Sequence, residues 1–178
     1  MLTSGRGDRV YFSEALIIFT SNLGIYSTAG DGTRTANVTP EQPFEEVRAR
    51  VRSEIENHFK LVLNRPEILN RFGENIIVFD FIRPAIAQQI FDAMIDSVLT
   101  DAVTLGHSIS IATEAKEMLR QLCTADLTNG GRGIRNMIEA HLINPLARAL
   151  FDWEGSGPVV VAAIQPSIVT TVILENTR

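Results

Sequence analysis

Cysteine occurs once in this chain of 178 residues, at Cys123, so no internal disulfide framework is available. A reducing cytoplasm is the easier fit for such a chain, and a cytoplasmic location is expected. Long apolar runs are also missing. The longest, around Ala15–Phe19 and Val159–Ile164, are far too short to span a bilayer. The N-terminus has no basic flank followed by an apolar stretch, so no signal peptide is expected. There is no basic excess either. A net charge of −5 argues against a general binder of nucleic acid or of anionic membranes. Lysine is the scarcest charged residue: Lys60 and Lys116 stand against fourteen arginines. Neither lysine follows a glycine, which excludes a Gly-Lys-Ser/Thr phosphate-binding loop within this chain.

The composition that remains is that of a folded protein. Hydrophobic residues make up 45%, enough for a real core in one domain or a small domain plus part of another. The run Ala15–Thr20 (ALIIFT), followed by Ser21, Asn22 and Gly24, predicts a strand buried on both faces of a parallel sheet. Thr28–Thr39, rich in Gly, Thr and Asn, predicts a surface loop. Phe44, Val47, Val51, Ile55, Phe59 and Val62 recur at helical spacing, predicting a helix over Pro43–Leu63. Arg48, Arg50 and Arg52 then form a solvated surface with Glu45, Glu46 and Glu54. Pro66–Phe72 predicts one short helical segment, and Ile76–Phe79 a second buried strand.

A domain boundary is expected near Asp80–Pro84. Pro84 then opens a helix whose apolar face is Ile86, Ile90, Met94, Val98, Ala102 and Leu105, with Gly106 as its stop. Ser108–Ile111 predicts a strand, and Thr113 the cap of a helix running to about Cys123. Asp126–Gly131 predicts a loop. A last helix from near Arg132 places Ile134, Ile138 and Leu142 one turn apart, with a kink at Pro145. Val159–Ile164 and Ile168–Leu174 predict a hairpin joined at Gln165-Pro166-Ser167.

Most familiar chemistries find no residues. His58, His107 and His141 are far apart and Cys123 has no companion, so no metal site is expected and each His is assigned a structural role. No Gly-x-Ser-x-Gly elbow is present. Arg6-Gly7-Asp8 is a chance tripeptide in a flexible start. Three polar positions stand out instead. Asn22 follows the carboxyl end of a predicted buried strand, where open α/β sheets place ligands and where an amide can orient a water or touch a phosphate. Its plainer role is that of a turn residue. Arg71 closes Pro66-Glu67-Ile68-Leu69-Asn70-Arg71, and a planar guanidinium suits phosphate oxygens, also across a subunit boundary. The plainer alternative is a salt bridge to Glu67 or Glu74. Arg132, in Gly130-Gly131-Arg132-Gly133, starts a helix, where a cation is disfavoured unless an anion docks beside it. The neighbouring glycines leave room for a ligand; a flexible Gly-rich loop is the alternative.

In order, Val10–Gly24 (VYFSEALIIFTSNLG), Pro66–Phe79 (PEILNRFGENIIVF) and Gly130–Leu150 (GGRGIRNMIEAHLINPLARAL) resemble the C-terminal portion of a Clp-type AAA+ ATPase module, the motor of protein-unfolding and disaggregating chaperones. The resemblance implies an α/β fold in two parts. Residues 1–82 would be the C-terminal remnant of the AAA+ large subdomain, with two buried strands plus helices. Residues 83–178 would be the mostly helical small lid domain with a short sheet. It implies Asn22 as the sensor-1 amide that positions the attacking water and Arg71 as the arginine finger reaching a neighbour's nucleotide. Arg132 would be the sensor-2 arginine contacting terminal phosphates. ATP with Mg²⁺ is the cofactor expected of the intact parent, and this segment alone should neither hold it tightly nor turn it over.

The implied partners are neighbouring subunits, usually of a homo-hexamer, and polypeptide substrates gripped by pore loops that would lie before Met1. A protease is left open as a further partner. Nucleic acid and membrane are not expected partners. Two departures from the family pattern matter. Gly73 stands where an acidic residue is usual, with Glu74 one place later, and the apolar-run-Asp-Glu element that holds Mg²⁺ is missing along with the phosphate loop. The family's strand that would separate Ala15–Thr20 from Ile76–Phe79 is missing too, so Met1–Asp80 is expected to be rearranged, partly open or held by another copy, and Pro84–Arg178 to fold well. A non-catalytic interaction or oligomerisation domain derived from such a module is the competing expectation. A Gly-x-x-x-x-Gly-Lys-Ser/Thr loop about a hundred residues before Met1 would decide for the motor.

Overall fold

The structure is a computed structural model that describes residues 2–3, 5–11, 14–28, 32–155, 157–167 and 169–176. The chain divides into two compact units, Met1–Asp80 and Phe81–Arg178. Among the described residues no helix is long and apolar enough to cross a membrane.

In the first unit, β1 (Leu2–Thr3) and β2 (Arg9–Val10) pair antiparallel. Arg6 and Gly7 therefore lie in a hairpin turn, for which Gly7 supplies φ 88°. A second antiparallel hairpin joins β3 (Tyr26–Thr28) to β4 (Arg34–Ala36), so the predicted loop over Thr28–Thr39 is in part a strand; Ala29, Gly30 and Asp31 within it lie outside the described residues. Helix α1 (Phe44–Asn57) continues into a π-helical turn, His58–Val62, and buries Val47 and Val51. Phe44, Ile55 and Phe59 are half-buried, and Val62 is exposed. Asn64 takes φ 51°, and after this break Pro66 opens α2 (Pro66–Phe72).

Neither predicted buried strand of this unit forms. Ala15–Thr20 carries no strand, and Leu16 and Phe19 are 88% and 78% exposed. Ile76–Phe79 carries none either, with Ile77 and Phe79 77% and 82% exposed. A central strand needs hydrogen-bonding neighbours and layers on both faces. Among the described residues no segment supplies either to these two, so water solvates the backbone and apolar side chains stay out.

In the second unit α3 (Pro84–Thr104) stops ahead of Gly106, which takes φ 89°. It leads to β5 (Ile109–Ile111), α4 (Thr113–Thr124), α5 (Gly130–Ile138), a π-helical turn at Glu139–Ile143, α6 (Asn144–Phe151), β6 (Val159–Gln165) and β7 (Thr171–Asn176). The sheet order is β5-β6-β7, with β5 parallel and β7 antiparallel to β6. One core joins all these layers through Phe91, Ile95, Leu119, Ile134, Ile138, Leu142 and Val161.

The buried row of α3 is Ala87, Phe91 and Ile95, one position round from the predicted face. Ile86 and Leu105 are exposed, while Ile90, Met94, Val98 and Ala102 flank the core. Burying the Phe91 ring outweighs burying Ile86, and this turns the helix. Thr113 is the first helical residue and makes no side-chain cap; Ala112 occupies the cap position. The last helix starts at Gly130, two residues before Arg132, which shortens the predicted loop. Pro145 acts through the π-helical turn immediately before it: its missing N–H and its ring spoil the normal ladder to the carbonyl four residues back, and the wider turn absorbs the misfit. The second hairpin strand begins at Thr171; Ile168 lies outside the described residues. Cys123 is buried in α4, and burial pushes its thiol up to about 12, so it behaves as a small core hydrophobe.

Candidate functional site

Asn22 sits in a tight turn that is anchored from both sides. Ser21 Oγ accepts a hydrogen bond from the Leu23 N–H at 3.0 Å, and the Asn22 carbonyl accepts one from the Ile25 N–H at 3.3 Å. Gly24 is buried at φ 89° against α1, where an added Cβ would lie 2.8 Å from the Val51 carbonyl oxygen. Asn37 Nδ2 donates to the Gly24 carbonyl at 2.8 Å. The turn is thus held, while the Asn22 side chain faces solvent.

Arg71 lies in the last turn of α2, exposed. The helix is tied to α1 and the turn after it: Phe72 meets Phe59 edge-on at 5.7 Å between centroids, and the Arg65 N–H donates to the Phe59 carbonyl at 2.8 Å. The salt bridges to Glu67 or Glu74 considered for Arg71 do not form. Glu67 pairs with Arg65 at 3.4 Å and Glu74 with Arg52 at 3.2 Å. Arg48 and Arg50 do join the predicted surface pairs, with Glu45 and Glu46, whereas Arg52 leaves that surface for Glu74. No local signal could have revealed the last pair, since its members are 22 residues apart. Beside α2 a cavity of about 330 Å³ is bordered by Arg52, Glu56, Lys60, Asn70 and Glu74.

Arg132, in the second unit, projects exposed from the first turn of α5. The glycines around it are bordered by protein atoms. Gly130 takes φ 56°, and Ile82 Cδ1 borders both glycines, at contact distance (3.4 and 3.7 Å) from where a Cβ on Gly130 or Gly131 would sit. Gly133 packs on Asn129. Asp126 accepts hydrogen bonds from the Thr128 N–H and hydroxyl, which hold its carboxyl below the usual range and shape the loop before the helix.

Asn22 and Arg71 therefore belong to the first unit and Arg132 to the second, all three solvent-facing. The lysines are committed elsewhere. Lys60 pairs with Glu56 at 2.9 Å and lowers its pKa; Lys116 pairs with Asp92 at 2.9 Å. Both sit on helical turns, not in a glycine loop. Among the described residues no group of three or more His, Cys, Asp or Glu could hold a metal ion. His141 accepts or donates a 2.7 Å hydrogen bond with the buried Thr170 hydroxyl, a structural role. The described structure thus presents Asn22, Arg71 and Arg132 as three exposed polar side chains.

No family model matches the chain. Individual relatives do, along most of it. It is 27% identical over 183 residues to the chloroplastic chaperone protein ClpD of Arabidopsis thaliana, covering 99% of this chain and 18% of that protein. It is 32% identical over 149 residues to the chaperone protein ClpB of Propionibacterium freudenreichii subsp. shermanii, covering 84% of this chain and 15% of the relative. It is 28% identical over 153 residues to heat shock protein 100 of Trypanosoma brucei brucei, covering 86% and 16%. The chain spans 15–18% of the length of these curated relatives. By sequence the chain is similar, along most of its own length, to a part of the Clp-type AAA+ chaperones.

Proposed function

We propose that the chain is the nucleotide-responsive rear segment of an ATP-driven protein-remodelling motor, inactive alone, and that it works against a nucleotide held by other elements. The observation that carries this is Arg71. It stands exposed at the end of a braced helix, with both nearby carboxylates engaged by other arginines. An always-charged group left without a partner gains most from an incoming oxyanion. Arg71 serves as the finger toward a neighbouring subunit's nucleotide, Asn22 orients the attacking water, and Arg132 contacts terminal phosphates from the lid, residues 83–178. The 1–82 portion is the large-subdomain remnant. The relatives' names as chaperones support the same direction. The reading carries with it ATP and Mg²⁺ as cofactor, a homo-hexamer, polypeptide substrates and a cytoplasmic location.

The matching segment of the Propionibacterium ClpB, replaced by this chain, tests the assignment. Arg71→Ala in that chimaera is expected to lower ATP hydrolysis by about 10³-fold while leaving nucleotide affinity in place. Unchanged turnover would sink the finger role. Isothermal titration of this chain alone should show no ATP binding tighter than about millimolar, because affinity mainly comes from the phosphate loop and its Lys.

A further inference from the structure

Two carboxylates lie within reach of Arg71 along the chain. Glu67 precedes it by four residues on α2, the spacing and order in which a Glu–Arg pair best stabilises a helix. Glu74 follows it by three. Either would occupy the guanidinium, and an external anion would then have to displace it. Neither does. Glu67 Oε1 lies 3.4 Å from Arg65 Nη1, and Glu74 Oε2 lies 3.2 Å from Arg52 Nη2. Among the described residues Arg71 has no ion pair.

The Glu74 arrangement depends on Gly73. Its φ of 53° ends α2 with a left-handed residue, so the chain turns off the helix line and Glu74 meets α1. An acidic residue at position 73 itself would be strained in that conformation. The edge-on contact of Phe72 with Phe59 holds the end of α2 against the π-helical turn that follows α1.

The geometry points to Arg52 as a positioning residue for Arg71: it draws Glu74 onto α1 and so leaves the Arg71 guanidinium open to an oxyanion. Arg65 does the same with Glu67 on the other side. The purpose of this arrangement rests on the role proposed above for Arg71, but the sequestration is measurable without any nucleotide.

Phenylglyoxal labelling of the full chain, followed arginine by arginine by peptide mass spectrometry, tests it. In Arg52→Gln the released Glu74 pairs with Arg71, and Arg71 labels more slowly, by up to about fivefold, the span an exposed ion pair allows. Arg132 serves as the internal reference. Adding Glu74→Gln to Arg52→Gln restores the wild-type rate, and Glu74→Gln alone leaves Arg71 at or above it. A bracing role for Arg52 would not be rescued by deleting its partner. An unchanged Arg71 rate in Arg52→Gln, or a slow rate that persists in the double variant, overturns the assignment. Should labelling follow the expected pattern while Arg71→Ala leaves the chimaera's hydrolysis intact, the sequestration stands and the finger role falls. The opposite pair of results keeps the finger and removes Arg52 from its support.

Discussion

Arg71 is one of several charged side chains whose environment follows from what its neighbours are doing. Asp92 on α3 shows the converse case, a carboxylate shared by two cations of α4, Lys116 at 2.9 Å and Arg120 at 3.1 Å. The hydrogen bond from Lys116, and then that from Arg120, hold its carboxyl below the ordinary range despite some desolvation. A pKa depressed in the folded state contributes stability at neutral pH that is lost as pH falls through the folded value. Urea unfolding followed between neutral pH and about pH 3 should therefore show a loss from this site that Asp92→Asn removes. Because the three side chains are partly exposed, the increment should stay under about 1 kcal/mol. An identical acid response in wild type and Asp92→Asn would contradict it. Asn22, Arg71 and Arg132 stand out as candidates in the sequence because each lies in a contiguous motif. The Arg52–Glu74 and Asp92–Lys116–Arg120 pairings were not, since their partners come from different helices.

Among the secondary elements, the helices follow the sequence and the two buried strands predicted in the first unit do not. The period of Val47, Val51 and Ile55, like that of Ile134, Ile138 and Leu142, marks helices that form with those residues inward or half-inward. The rotation of α3 by one position shows the limit, because the helix carries two adjacent apolar rows, Ile86, Ile90 and Met94 beside Ala87, Phe91 and Ile95, and leaves the choice of buried row to what packs there. The turn carrying Asn22 depends on a single glycine. Gly24→Ala puts a methyl 2.8 Å from the Val51 carbonyl oxygen at a φ that L side chains rarely adopt. It should destabilise the first unit by more than about 1 kcal/mol, seen as faster hydrogen exchange in α1. Unaltered exchange would show that the turn is not seated on that helix.

Between the two units the contrast is one of core. The second has a continuous core reaching from α3 to β7, whereas the buried hydrophobics of the first are Val38, Val47 and Val51 among the described residues. Limited proteolysis should cut first within residues 15–20 and 74–80 and leave a resistant product beginning near Phe81. Equal digestion of both units would refute this. Composition and periodicity alone established the helices and the lack of a Gly-Lys phosphate loop within these residues, and local motifs singled out the three polar candidates. These depend on neighbours in the chain, and a helix completes its backbone hydrogen bonds within its own segment. Whether ALIIFT and IIVF become buried strands, which row of α3 faces inward, and which arginine claims Glu74 were decided only in three dimensions. A strand's hydrogen bonds and a side chain's ion pair are completed by another segment, and the sequence of one segment does not say which of its possible partners arrives.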